Sequence, residues 1–447
     1  MNRVEFLKSK KGVFVLLTAA AAVLLAASAI TPMAPARAQA PVAASPYSIS
    51  LFATSPSGLS QPGAILFANN SVYIAYNNGA ALDGSSGSTT VVQYSTTGAI
   101  GQMYTIPGGN ATVKVEPLTG HVWVLQNPVA NPSLTIIDPN TNVQNTFTFA
   151  PTAHGGGYGD LAFLAGEVYI SASNPSANPN TAPAILHVTT SGTMANVTPV
   201  LAGNATAVDT LTGSTVSLNL VSPLSLEFDT LNDLVLNDQA DSQLIFVHNP
   251  NAADQSVSRT GLTLNSNPVE IGNTAFVTSS SGMLLVSDPG SGTVYSVTRA
   301  VFSEGKVYTV APGAVEKVDL DSGGVNTKIV TGLVTPSRIA FIPNSNFRLS
   351  FTPGGPSVPT SGGTVLVIAE TNRQGGDPGS VTITAPNALP KGFKFVTANP
   401  LVLNGGTGVV EIKVKGSATP GVHGIPFMAT DSSGRVRMAT MLVQVGP

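Results

Sequence analysis

The sequence predicts an all-β protein: a β-propeller of six blades, or seven depending on how Val301–Val310 is assigned, followed by an immunoglobulin-like β-sandwich. Three observations carry this. Past residue 40 no window keeps apolar residues at i, i+3, i+4 and i+7 over three turns, whereas short alternating β-branched runs recur throughout. Most of these runs follow a partner strand across a tight turn, as in AILFANN-SVYIA, VKVEPLTG-HVWVL, DLAFLAG-EVYIS, LEFDTLN-DLVLN and AFVTSSSG-MLLVSD. Their starts near residues 64, 112, 160, 224 and 274 lie roughly 50 residues apart, the spacing of four-stranded blades.

Taken in order, Arg3, Lys8, Lys10 and Lys11 precede the apolar run Val13–Ile30, and small residues surround Ala36–Ala40. This is the layout of a cleavable signal peptide over 1–40, so export to a periplasmic or extracellular setting is expected, with no membrane span in the mature chain. The propeller is expected over 41–345. Its lone early strand Tyr47–Phe52 is expected to pair into the last blade and close the ring, which removes open sheet edges. Acidic turns punctuate the blades: EPLTG (116–120), DPNTN (138–142), DTLTG (209–213), DPGSG (288–292) and DLDSG (319–323). Hairpin chemistry explains those acids, because an Asp side chain caps amides two residues on. Residues 346–363 are rich in Pro, Gly and Ser and are expected as a linker. Short strands then suit a sandwich over 364–447.

Composition narrows the function classes. The chain has 20 Lys+Arg, 23 Asp+Glu and no Cys. Five of the bases and one acid lie in residues 1–40, leaving 15 bases and 22 acids, a net charge near −7. That balance argues against nucleic acid as a partner, since nothing is present to displace counterions from phosphates. The absence of Cys in an exported chain excludes a disulfide framework and lipid attachment.

His154–Ser171 reads HGGGYGDLAFLAGEVYIS. A dinucleotide loop needs a third Gly where Asp160 stands, and a helix where a hairpin follows. The five His residues show no H-x-x-x-H spacing, so no zinc site is signalled. The loops entering inner strands line a propeller's channel mouth. They place Gln61, His154, Tyr158, Asp160, Ser222, Glu270 and Arg338 there, with Asp238 and Asp241 on the next rim. His154, Tyr158, Asp160, Glu270 and Arg338 are the ligand-binding candidates, and Asp160 and Glu270 are the candidates for a divalent cation such as Ca or Mg. The competing role of Asp160 is to satisfy backbone amides at the strand start.

On these repeats, residues 41–345 resemble the secreted NHL and SMP-30-like six-bladed propellers, and residues 364–447 resemble the Ig-like repeats of bacterial exported proteins. The latter likeness lies in Leu389-Pro390-Lys391-Gly392 and Thr419-Pro420-Gly421-Val422-His423, with His423 where that family usually shows Tyr. The first resemblance implies a metal-dependent lactonase with Glu at the first entry, where this chain has Gln61. With no catalytic constellation in sight, the expected function is a non-catalytic exported protein that binds a ligand or a surface partner, the Ig-like domain acting as spacer or anchor and no cofactor required. The alternatives are a metal-dependent lactonase or lyase acting at the channel mouth, and a structural matrix component.

Overall fold

The structure, a computed structural model, describes residues 40–446 apart from 69, 118, 165, 253, 345, 354, 375–378, 387 and 433. The signal-peptide expectation lies outside the described residues. Among these, no helix is long and apolar enough to cross a membrane.

The protein is a β-propeller joined to a two-sheet C-terminal sandwich. Strands Pro62–Ala68, Asn110–Val115, Tyr158–Leu164, Pro223–Phe228, Thr274–Phe276 and Arg338–Pro343 each stand at the end of a sheet, the second and third at opposite ends of one eight-stranded sheet, and all send residues to the wall of one cavity. Four of them carry the same register shift near their start, as at Tyr158/Leu161 and Pro223/Leu226. A bulge there re-aims the side chains that follow.

The first four inner strands pair with the next strand in sequence across the hairpins read from the sequence. The acid caps local amides in three of the five acidic turns, whereas Asp288 accepts instead from the Val334 and Thr335 amides. Asn140 N donates to Asp138 Oδ1 at 2.8 Å, Leu211 and Thr212 N donate to Asp209 Oδ1, and Thr119 N donates to a Glu116 carboxylate oxygen.

The fifth repeat corrects the expectation. Thr274–Phe276 does not pair with Gly282–Asp288 but with Val307–Ala311, which continues to Ala314–Asp319 and Val325–Thr331. Gly282–Asp288 instead pairs with Arg338–Pro343 on one side and Thr293–Thr298 on the other. The hairpin 282–298 is therefore lent to the last sheet. The reason is that Arg338–Pro343 has no strands of its own to follow it, because the chain then leaves for the sandwich. Outermost in that sheet, Ser48–Thr54 pairs with Thr293–Thr298, with Ser50 and Ser296 opposite each other and their hydroxyls 2.8 Å apart. Phe302, fully buried, packs edge-on against Tyr308 at 5.9 Å and Phe341 at 5.2 Å, tying the exchanged sheets together.

Residues 346–352, expected as linker, form a strand of the sandwich, paired in antiparallel register with Gly362–Gln374. Its alternation decides its role. Phe347, Leu349 and Phe351 are buried in the sandwich core, so Arg348 between them points to the opposite face. Arg437 Nη1 donates to Glu304 Oε2 at 3.0 Å and Arg437 also reaches Thr278 O, while Asn232 Nδ2 donates to Met438 O. These contacts seat the sandwich on the propeller end where inner strands finish. Within the sandwich, His423 Nε2 donates to Thr419 O at 2.6 Å, so the imidazole makes a local backbone bond at the position where the resembled family carries Tyr.

Ring closure is open to a direct test. The double substitution S50C/S296C is expected to form a disulfide on mild oxidation, because directly opposed residues of an antiparallel pair lie within cystine reach. Faster migration on a non-reducing gel reports it, and no crosslink would mean the pairing is wrong. Phe302→Ala is expected to cost about 3–5 kcal/mol, measured by denaturant unfolding.

Candidate functional site

The glycine lead-in that opens the third inner strand is packed rather than loose. A Cβ at Gly157 would stand 2.6 Å from the Pro128 carbonyl carbon, and one at Gly156 would stand 2.8 Å from the Asn174 carbonyl carbon. Only glycine lets the two loops approach so closely. This packing also buries the residues around it. His154 is 3% exposed and its Nε2 donates to Gly157 O at 2.6 Å, while burial holds its imidazole pKa below the ordinary value. Tyr158 is buried against Phe149 and His154, with burial pushing its phenol up to about 12. Neither side chain lines the cavity. Glu270 lies on the exposed surface between strands, away from it.

Asp160 and Arg338 do line the cavity, a chamber of about 200 Å³ enclosed by the inner strands. Asp160 Oδ1 accepts from Leu161 N at 2.8 Å, and Oδ2 accepts from Leu226 N at 3.0 Å in the next blade. Asn273 repeats the device with Oδ1 accepting from Ile339 N at 2.9 Å. Asp160 thus has the backbone role weighed for it from the sequence. Arg338 reaches across the ring, Nη2 donating to Ala111 O at 3.0 Å.

Because side chains alternate along a strand, the residues two places on face the same chamber. Thr112 is followed by Lys114, Asp160 by Ala162, Thr274 by Phe276 and Arg338 by Ala340, with Leu66 and Glu227 on the remaining strands. Lys114 Nζ stands 3.6 Å from Asp160 Oδ1. Across the chamber, Arg348 enters from the sandwich with its guanidinium 5.9 Å from the Phe228 ring centre. Among the described residues, Glu227 and Arg348 have no protein hydrogen-bond partner.

Glu227 is half-buried on the chamber wall and its carboxyl is pushed up to about 7, chiefly by burial. The Lys114 and Arg348 charges pull the other way, while Asp160 and Asp229 add to the rise. Burial likewise lowers the pKa values of Arg338 and Arg348, opposed by Asp160 and by Glu227 with Asp229 respectively.

A divalent cation does not fit this donor set. Among the described residues no group of three or more His, Cys, Asp or Glu converges anywhere. Asp160 and Glu270 are apart, both Asp160 oxygens are held by amides, and three cationic side chains crowd the chamber.

Lys114, Glu227 and Arg348 fall outside the sequence-derived candidates because they sit within strands and not in the entry loops. The available signal was a charged residue in the middle of an apolar alternation, in VKV, LEF and FRL.

No family model and no curated protein matches the chain. Among solved structures it is similar to a streptogramin B lyase, at 11% identity and a TM-score of 0.38, covering 88% of this chain and 95% of that one. It is also similar to the virginiamycin B lyase of Staphylococcus aureus, at 8% identity and 0.38, covering 63% and 88%. A protein described provisionally as a gluconolactonase gives 10% identity and 0.38, covering 74% and 95%. The expectation of a non-catalytic binding protein is not what these neighbours carry, since they are named as lyases and a lactonase.

Asp160→Ala is expected to destabilise by about 1–3 kcal/mol by leaving the Leu226 amide unpaired, with Asp160→Asn recovering part of it in urea melts. Gly157→Ala is expected to cost about 1–3 kcal/mol or more by overpacking, read the same way.

Proposed function

We propose that this chain is a six-bladed propeller enzyme of lactonase or lyase type, capped by an immunoglobulin-like domain, that opens an ester C–O bond in the central chamber. The observation that carries the reading is Glu227, a half-buried carboxyl on the chamber wall with no hydrogen-bond partner among the described residues and a pKa pushed up to about 7, facing three cations. A carboxyl poised near neutrality exists in both proton states at working pH, which suits a group that takes a proton and gives it back. As the ester opens, negative charge grows on oxygen. Arg338, held by its bond to Ala111 O, and Arg348 on the same wall are donors that can stabilise it. In hydrolysis Glu227 takes a proton from the attacking water, and in elimination it takes one from the carbon beside the carbonyl. In both it returns that proton to the leaving oxygen. The donor set supports no step through a metal, so the chemistry is assigned to these side chains alone.

Export and the placing of the mature chain in the periplasm or outside the cell rest on the N-terminal pattern. They fit a chain with no Cys to oxidise.

Two measurements test the reading. Glu227→Gln is expected to lower turnover of an aryl ester or lactone by about 10²–10⁴-fold while the protein melts normally. Turnover by the native chain should rise with pH through about 7 as the base ionises. Stability moves in the opposite sense. A carboxyl whose folded pKa lies above its unfolded value stabilises fully below about 4.5, and that contribution fades as pH climbs through about 7. Glu227→Gln should remove this loss. Full activity in Glu227→Gln would refute the assignment.

A further inference from the structure

We infer that the chamber is a binding site for a small singly charged carboxylate, anchored by Arg348 from the C-terminal domain. The inference rests on the chamber being the active site and names the class of molecule it takes.

Charge comes first. Lys114, Arg338 and Arg348 face Asp160 and Glu227, so the chamber carries one positive charge in excess when Glu227 is ionised and two when it is not. Enclosed charge without a counter-charge is costly, and protein interiors normally pair it. No further acid lines the wall, and Asp229 behind it offsets part of the Arg348 charge.

Partner saturation singles out the anchor. Asp160 is held by two amides and by Lys114, and Arg338 donates to Ala111 O and Ser337 O. Arg348 is half-buried, makes no side-chain hydrogen bond among the described residues and stands on the cavity wall with its guanidinium 5.9 Å from the Phe228 ring centre. A planar guanidinium with free donors matches the two oxygens of a carboxylate. With Glu227 ionised, the single excess charge fits a monoanion better than phosphate, which approaches two charges at neutral pH. The volume, about 200 Å³, admits only a small molecule or one end of a larger one.

Glu227 faces Lys114, Asp160, Arg348 and Asp229, and a bound carboxylate would add a like charge beside it. Affinity should therefore weaken as pH rises and Glu227 ionises.

The test uses the full exported chain with acetate, butyrate and benzoate, against chloride at equal ionic strength and against inorganic phosphate. Binding is read by calorimetry and by the saturable rise of melting temperature. The native protein is expected to bind the carboxylates in preference to phosphate, with affinity falling between pH 6 and 8. Arg348→Met should weaken binding about tenfold or more, the scale of a lost bidentate charged pair, and Arg348→Lys less. Glu227→Gln should bind at pH 8 as the native chain does near pH 6, and any pH dependence it keeps belongs to Asp229. No saturable binding, equal binding by folded Arg348→Met, or preference for phosphate would each overturn the inference. Carboxylate binding without Glu227-dependent turnover removes the enzyme reading and keeps the anion site. Glu227-dependent turnover without Arg348-dependent binding removes only the anion site.

Discussion

The structure depends on closing a ring whose last inner strand arrives without partners. Arg338–Pro343 is flanked in sequence by a loop and by the first strand of the sandwich, so its sheet is assembled from elsewhere: the 282–298 hairpin beside it and Ser48–Thr54 at the rim. An open ring would leave strand edges exposed, and their backbone groups would pair with other chains. Closure joins segments some 250 residues apart in sequence, as the Ser50–Ser296 and Tyr47–Tyr308 hydroxyl contacts show. Everything inside the ring inherits its geometry from that closure.

Within the ring, polar side chains do two separate jobs. Asp160 and Asn273 accept the amide of the neighbouring inner strand and hold one blade to the next, which satisfies groups that a bulge would otherwise leave unpaired. Lys114, Glu227 and Arg348 are different, because their charges are not consumed by the backbone. A protein that spends burial energy on unconsumed charge gains stability only when something else completes the pairing. The two jobs fall on different elements: Asp160 and Asn273 stand at the starts of the third and fifth inner strands, Lys114 and Glu227 lie within the second and fourth, and Arg348 comes from the sandwich, yet all face one chamber.

The sandwich is part of the site as well as an attachment. The strand 346–352 continues directly from the last inner strand, and its alternation gives one face to the sandwich core and Arg348 to the chamber. Glu304 and Arg437 hold the two parts in register at the same end.

Sequence alone determined the local features: the alternating strands, four of the inner hairpins, the Asp-led turns and the backbone role open to Asp160. Each depends on residues within a few positions of one another, where periodicity and turn chemistry act directly. HGGGYGDLAFLAGEVYIS was legible as a hairpin, but the reason for its glycines was not, since the crowding comes from Pro128 and Asn174 in other loops. Tertiary structure alone decided the exchanged 282–298 hairpin, the burial of His154 and Tyr158 away from the chamber, and the meeting of Lys114, Glu227 and Arg348. Those three come from two inner strands and the sandwich, and a charge in mid-strand looks the same in sequence whether it faces water or a closed cavity. Only the assembled ring brings those charges to one cavity wall, where partial burial and their neighbours shift their proton affinities.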